Sequence, residues 1–161
     1  MTTTAKASVT SEPSQPRPRV RIRRIQSTIV ILALIVTGYM TYIKLVGVPL
    51  QCVETGVINC SVVENSAWAR VMGIPTAMLG FIAHLIILAI LVLETRVKFF
   101  KDNGVLLLFG VTLFSIIYHS YLIYVSVFIL KAICPWCITA ASLMLLQLIC
   151  SSIRLRRYFM S

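Results

Sequence analysis

This chain is short of charge. Of its 161 residues only 12% are charged, and acids are scarcest, with five Asp and Glu against fifteen Lys and Arg. A water-soluble domain carries about 25% charged residues. A chain that is 58% hydrophobic cannot clothe such a surface, so a soluble globule is excluded. No internal repeat and no phosphate-cradling loop interrupts the sequence, which removes solenoid and nucleotide-binding readings.

What replaces charge is long apolar runs. Four stretches, roughly 28–46, 74–93, 105–130 and 135–153, approach or exceed the ~20 residues needed to cross a bilayer. The expected fold is all-α: an integral membrane four-transmembrane-helix bundle with a short helix-containing outer loop between spans one and two. The first span is too long for a cleaved signal segment and is read as a retained anchor.

The net charge of +10 invites a nucleic-acid reading. Its distribution argues otherwise. Arg17, Arg19, Arg21, Arg23 and Arg24 precede span one, Arg96, Lys98 and Lys101 lie between spans two and three, and Arg154, Arg156 and Arg157 follow span four. The opposite side holds Lys44, Arg70 and Lys131. This is the positive-inside pattern, which puts both termini in the cytoplasm and the 1–2 loop on the periplasmic or luminal face. The basic flanks suit anionic membrane lipid, and no nucleic-acid partner is expected. Residues 1–25 read as a disordered basic cytoplasmic tail, 26–153 as the membrane domain and 154–161 as a second basic tail. A bacterial plasma membrane is the expected location.

Five cysteines are distributed unequally. Cys52 and Cys60 fall in the 1–2 loop, and Cys134 and Cys137 open span four at the same face. Cys150 lies ~20 Å further down that helix at about 1.5 Å per residue, and is read as an apolar filler. Four cysteines on an oxidising side are compatible with two structural disulfides, with a zinc site or with a dithiol relay. The chemistry of CPWC favours the relay. Its first cysteine takes the cap position, Pro135 takes the first turn at no hydrogen-bond cost, and the positive helix end favours a thiolate. No metal is expected.

Between the pairs, Cys60–Val71 can form a short helix on the membrane surface. Val62, Val63, Trp68 and Val71 supply its apolar side, with Glu64, Asn65 and Arg70 facing water. Ile74-Pro75 then starts span two. Such a lid would keep water from the thiols.

The stretches GYMTYIK (38–44), the Cys52/Cys60 pair, Ser66–Ala67–Trp68, GIPTAMLG (73–80) and CPWC (134–137), in that order, resemble the vitamin K epoxide reductase family over residues 27–153. The resemblance implies roles. Cys137 would attack a quinone, Cys134 would be its disulfide partner, Cys60 would exchange with Cys134, and Cys52 would admit electrons from outside. Ser66 matches the family's active-site Ser/Thr position, although a hydroxyl bonded to its own backbone is an equal reading. Trp68, Tyr39, Tyr42 and Tyr121 are further candidates for a quinone site. Tyr118 and Tyr124 are more readily explained by packing, and His84 and His119 as neutral imidazoles bonded to a neighbouring helix ahead of an intramembrane functional role. The implied co-substrate is a quinone from the membrane quinone pool (ubiquinone, menaquinone, phylloquinone or vitamin K). The implied partner is a separate thioredoxin-fold redox protein on the outer face, since no fused thioredoxin-like domain is read here. Vertebrate members carry a tyrosine at the position of Ala141, so disulfide formation is expected ahead of epoxide chemistry. The alternatives are a reductase valued for its quinone or quinone-epoxide product, and a non-catalytic scaffold with structural disulfides.

Overall fold

The computed structural model describes residues 18–49, 51–52 and 55–160. Four long helices, α1 (Pro18–Val46), α3 (Thr76–Arg96), α4 (Lys98–Tyr124) and α5 (Pro135–Phe159), carry the apolar runs. Each is long and apolar enough to cross a membrane, and the protein is an integral membrane helical bundle. α1 packs on α3 and α5, and α4 packs on α3 and α5, giving a closed ring in the order α1, α3, α4, α5. Between α1 and α3 lie the short helix α2 (Cys60–Asn65), a 3₁₀ turn (Ala67–Ala69), and a two-stranded hairpin of β1 (Arg70–Val71) and β2 (Ile74–Pro75). Arg70 pairs with Pro75 and Val71 with Ile74.

Helices are the economical solution here because lipid offers no partner for a backbone N–H or carbonyl. Val30, Ile87, Leu108 and Met144, one from each long helix, are fully buried at the centre. Internal hydroxyls return to their own helix: Thr37 donates to Ala33 O, Thr41 to Thr37 O and Thr112 to Leu108 O, each at 2.7 Å. Large apolar residues such as Phe114 and Ile117 are exposed, as lipid-facing positions should be. At Gly38 an added Cβ would come within 3.3 Å of the Phe81 ring, so glycine sets how closely α1 approaches α3.

Three boundaries differ from the sequence expectation. Composition predicts a disordered tail over residues 1–25; residues 1–17 lie outside the described residues, and from Pro18 onward α1 takes the place of that tail. Proline suits a first helical turn, and the arginines after it are good helix formers continuing a stable span. Second, the expected helix over Cys60–Val71 stops at Asn65. Ser66 is extended (φ −62°, ψ 153°) and its hydroxyl donates to Val63 O at 2.8 Å, closing the helix. Third, Ile74-Pro75 forms a strand instead of the first turn of span two. Met72 and Gly73 both have positive φ (51° and 85°), the geometry of a tight two-residue hairpin turn.

The two ends of the bundle differ in kind. At the end holding the termini, Gln26 Nε2 donates to Ser151 Oγ (2.9 Å), Gln147 Nε2 to Gln26 O (3.0 Å) and Arg154 to Gln26 Oε1 (2.8 Å), while Arg154 also pairs with Glu94. This polar clamp joins α1, α3 and α5. The opposite end carries the loop, the hairpin and the start of α5.

Candidate active site

Two segments place the cysteines. In the first, a small turn closes as Ile58 N donates to Thr55 O (2.8 Å), with Gly56 in the left-handed region. Asn59 then caps α2, its side chain accepting from Val62 N at 3.0 Å, so Cys60 is the first helical residue. In the second, α4 ends in a π-helical turn (Val125–Ile129). Ser126 anchors the connection to α5: its carbonyl accepts from Ala132 N (3.1 Å) and its hydroxyl donates to Ala132 O (2.5 Å). Cys134 is the N-cap of α5 and Pro135 its first residue, as the CPWC spacing predicts.

The segments are joined by a parallel bridge between Ile58 and Ile133. Ile133 N donates to Val57 O (2.8 Å) and Asn59 N donates to Ile133 O (3.2 Å). The next residues along the two strands of this bridge lead directly to Cys60 and Cys134. Both are buried, at 0% and 3% exposure, in one cluster packed by Met40, Ile43, Cys52, Val63, Trp136 and Cys137. Cys52 and Cys60 form a disulfide, with their Cα atoms 6.2 Å apart. Cys134 and Cys137 are not bonded. Trp136, inside CPWC, donates to Gln51 O (3.3 Å) and packs on Tyr39 with ring centroids 5.2 Å apart. The residue before Cys52 is thereby held against the start of α5.

The Cys134 thiol is held down to about 7. A hydrogen bond from the Cys137 thiol is the main cause, with help from the backbone N–H groups of Cys137 and Trp136, while burial and the Glu64 carboxylate oppose it. The second thiol of CPWC thus does most to favour the Cys134 thiolate, and the N–H groups of the helix start add to it.

Beside the thiols opens a mainly apolar cavity of about 630 Å³. This is within the roughly 300–1,000 Å³ of small-molecule sites. Cys134 and Cys137 line it, and α2 and the 3₁₀ turn cover it with Glu64, Ser66 and Trp68. Of the aromatic candidates, Trp68 lines the cavity, whereas Tyr39, Tyr42 and Tyr121 are not among its lining residues. Tyr39 supports Trp136, Tyr121 meets the edge of Trp68 (6.4 Å), and Tyr42 is exposed. Ser66 lines the cavity and its hydroxyl bonds to Val63 O, as the backbone-bonded reading expects.

Deeper in the bundle, His119 lines the cavity with Nδ1 bonded to Ser115 O (2.9 Å), one turn back on its own helix and not on a neighbouring one, and Tyr118 lines it with a buried hydroxyl that has no partner among the described residues. His84 is fully buried and bonded to Gly80 O (2.7 Å). Cys150 lies on α5, near the polar clamp and away from the other sulfurs. Sequence reasoning misses Lys44 and misplaces Glu64. It puts Glu64 in water, but the side chain faces the cavity and pairs with Lys44 at 3.4 Å. The signal lies in Lys44 itself, a charge retained at the mouth of an apolar span.

The model of the vitamin K epoxide reductase family matches residues 25–152. The chain belongs to the vitamin K epoxide reductase family. Within it, the chain is 31% identical over 112 residues to the thiol-disulfide oxidoreductase LTO1 of Arabidopsis thaliana. That match covers 66% of this chain and 30% of the relative, so the chain spans less than a third of LTO1's length. The matched span contains both the loop disulfide and the helix-capping CxxC.

Proposed function

We propose that this protein is a quinone-dependent thiol–disulfide oxidoreductase that drives disulfide formation. The observation that carries the reading is the single buried cluster in which Cys60 meets Cys134 at the wall of an apolar cavity. A relay from aqueous thiols to a lipid-soluble acceptor needs that juxtaposition. Similarity to LTO1, a thiol-disulfide oxidoreductase, supports it.

In this reading a reduced thioredoxin-fold protein on the outer face attacks Cys52. Cys52 is the less buried member of its disulfide. The partner becomes disulfide-bonded and the loop pair becomes a dithiol. Cys60 then attacks Cys134 of an oxidised CxxC, and Cys137 leaves as the thiolate. Cys52 closes on Cys60, releasing Cys134 and restoring the loop disulfide. In the resulting state the loop pair is closed and the CxxC pair is a dithiol. A quinone in the cavity is the two-electron acceptor. Cys134 and Cys137 give up two electrons and two protons and re-form their disulfide. Buried sulfur atoms keep water out of the exchange, and each sulfur step passes through a mixed disulfide. Positive-inside charge supports placing the thiols outside and both termini in the cytoplasm.

The test is dithiol-driven quinone reduction by the purified protein in lipid, repeated with each cysteine replaced. Cys137→Ala should reduce quinone no faster than lipid alone. A wild-type protein that forms no mixed disulfide with a thioredoxin-fold substrate, and reduces no quinone, would be a scaffold with a structural disulfide.

A further inference from the structure

The lid helix α2 is fastened at both ends, by different means. Its start is tied through the Cys52–Cys60 disulfide and the bridge to Ile133. Its other end is held by one ammonium group. Lys44, in the last turn of α1, donates to Asn65 Oδ1 (3.1 Å) and to Glu64 O (3.3 Å), and lies 3.4 Å from Glu64 Oε1. Terminal helix carbonyls lack intrahelical partners, so a cation there satisfies the helix end and its carboxylate together. The two side chains are 16% and 18% exposed. Both face the cavity that Cys134 and Cys137 line.

Glu64 is the one acid among the described lining residues. The other titratable groups there are Lys44 from α1, Tyr118 and His119 from α4, and the two thiols at the start of α5; the α3 lining residues are uncharged. A carboxylate beside a thiol disfavours the thiolate, and a cation paired with that carboxylate offsets part of the effect. Nothing in the exchange chemistry itself consumes Lys44.

We propose that Lys44 is a positioning residue for the relay: it latches the lid over the thiol cavity through Glu64 and Asn65, and it neutralises Glu64 beside the CxxC pair. The proposal rests on the relay reading. While Cys60 moves its bond from Cys52 to Cys134, the latch keeps the far end of α2 in place, so that the sulfur swings and the lid does not lift. The same contact limits how far the lid's one acid can work against the Cys134 thiolate.

The test uses the full chain in lipid nanodiscs, fully reduced and held anaerobically, with iodoacetamide alkylation of Cys134 followed by peptide mass across pH. No quinone is needed. Lys44→Met should move the Cys134 alkylation midpoint upward and slow alkylation at neutral pH about threefold or more, as an unscreened neighbouring charge requires. Lys44→Met combined with Glu64→Gln should restore the wild-type profile, and Lys44→Arg should never lose it. In dithiol-driven quinone reduction, Lys44→Met should lower kcat/KM about tenfold, and the double variant should recover only part of that, because the latch stays broken. An unchanged alkylation profile in Lys44→Met, or no recovery in the double variant, overturns the proposal. A Lys44→Arg profile that shifts like Lys44→Met also overturns it, and this comparison does not depend on Lys44→Met folding well. If the wild-type protein reduces no quinone while the profiles respond as stated, the functional reading fails and the electrostatic role of Lys44 survives.

Discussion

At the termini end of the bundle, Gln26, Gln147, Ser151, Glu94 and Arg154 bond to one another across three helices. At the loop end, Cys60 and Cys134 are just as buried but are not bonded to each other. Both ends place polar or reactive groups where water is scarce. One uses them to lock helices together, since polar groups in lipid gain most by pairing with each other. In the proposed relay the other must leave room for partners to change, because a disulfide that exchanges cannot also be a fixed cross-link. The main-chain bridge between Ile58 and Ile133 does the holding at that end, so the sulfurs need not.

This contrast can be broken most severely at the thiol end. Cys134→Ser should abolish electron transfer from both protein and small-molecule dithiols, measured as quinone reduction, since in the proposed relay Cys134 links the loop pair to the cavity. Cys52→Ala sharpens the division of labour within the pair. Turnover with a thioredoxin-fold substrate should fall at least ~100-fold, while a small dithiol that can reach Cys134 directly should lose far less, because exchange depends on access to the attacked sulfur. Equal losses would remove the entry role from Cys52.

At the other end the effect belongs to stability. Glu94→Ala leaves the Arg154 guanidinium short of its carboxylate and should cost about 1–3 kcal/mol in unfolding measurements, with Cys134 reactivity unchanged in the folded fraction. A changed Cys134 profile would mean that the two ends are coupled. A subtler test is pH. With Cys134 held near 7, its alkylation should rise through neutral pH and level off above it, as the thiolate fraction saturates. An ordinary thiol, with its midpoint at about pH 8.5, would keep gaining reactivity well above that. The smallest effect should come from Cys150→Ala, with turnover close to wild type, because Cys150 shares no contact with the relay cluster.

The spans, the cap position of Cys134 and the sharing of one bundle end by two cysteine pairs are legible in the sequence. Each depends on local rules: apolar length, proline at a first turn, and cysteine placement relative to the spans. The lid is less legible. Helical propensity extends through Val71, but Ser66 turns its hydroxyl back onto Val63 and the Met72–Gly73 turn starts a hairpin. The aromatic candidates divide for a similar reason. Position along a span gives depth but not facing, and Tyr39, Tyr42 and Tyr121 turn away from the cavity that Trp68 covers.

By itself, then, the sequence determined that this chain crosses a membrane four times and brings two pairs of cysteines to one face. Hydrophobic length and charge asymmetry act along the chain and need no fold to be counted. Only the tertiary structure decided that Cys60 lies against Cys134, that Lys44 closes onto Glu64, and that Gln26 binds Ser151 and Arg154. Those pairings join residues far apart in sequence, and they exist because helix packing and the Ile58–Ile133 bridge fix distances that no local propensity encodes.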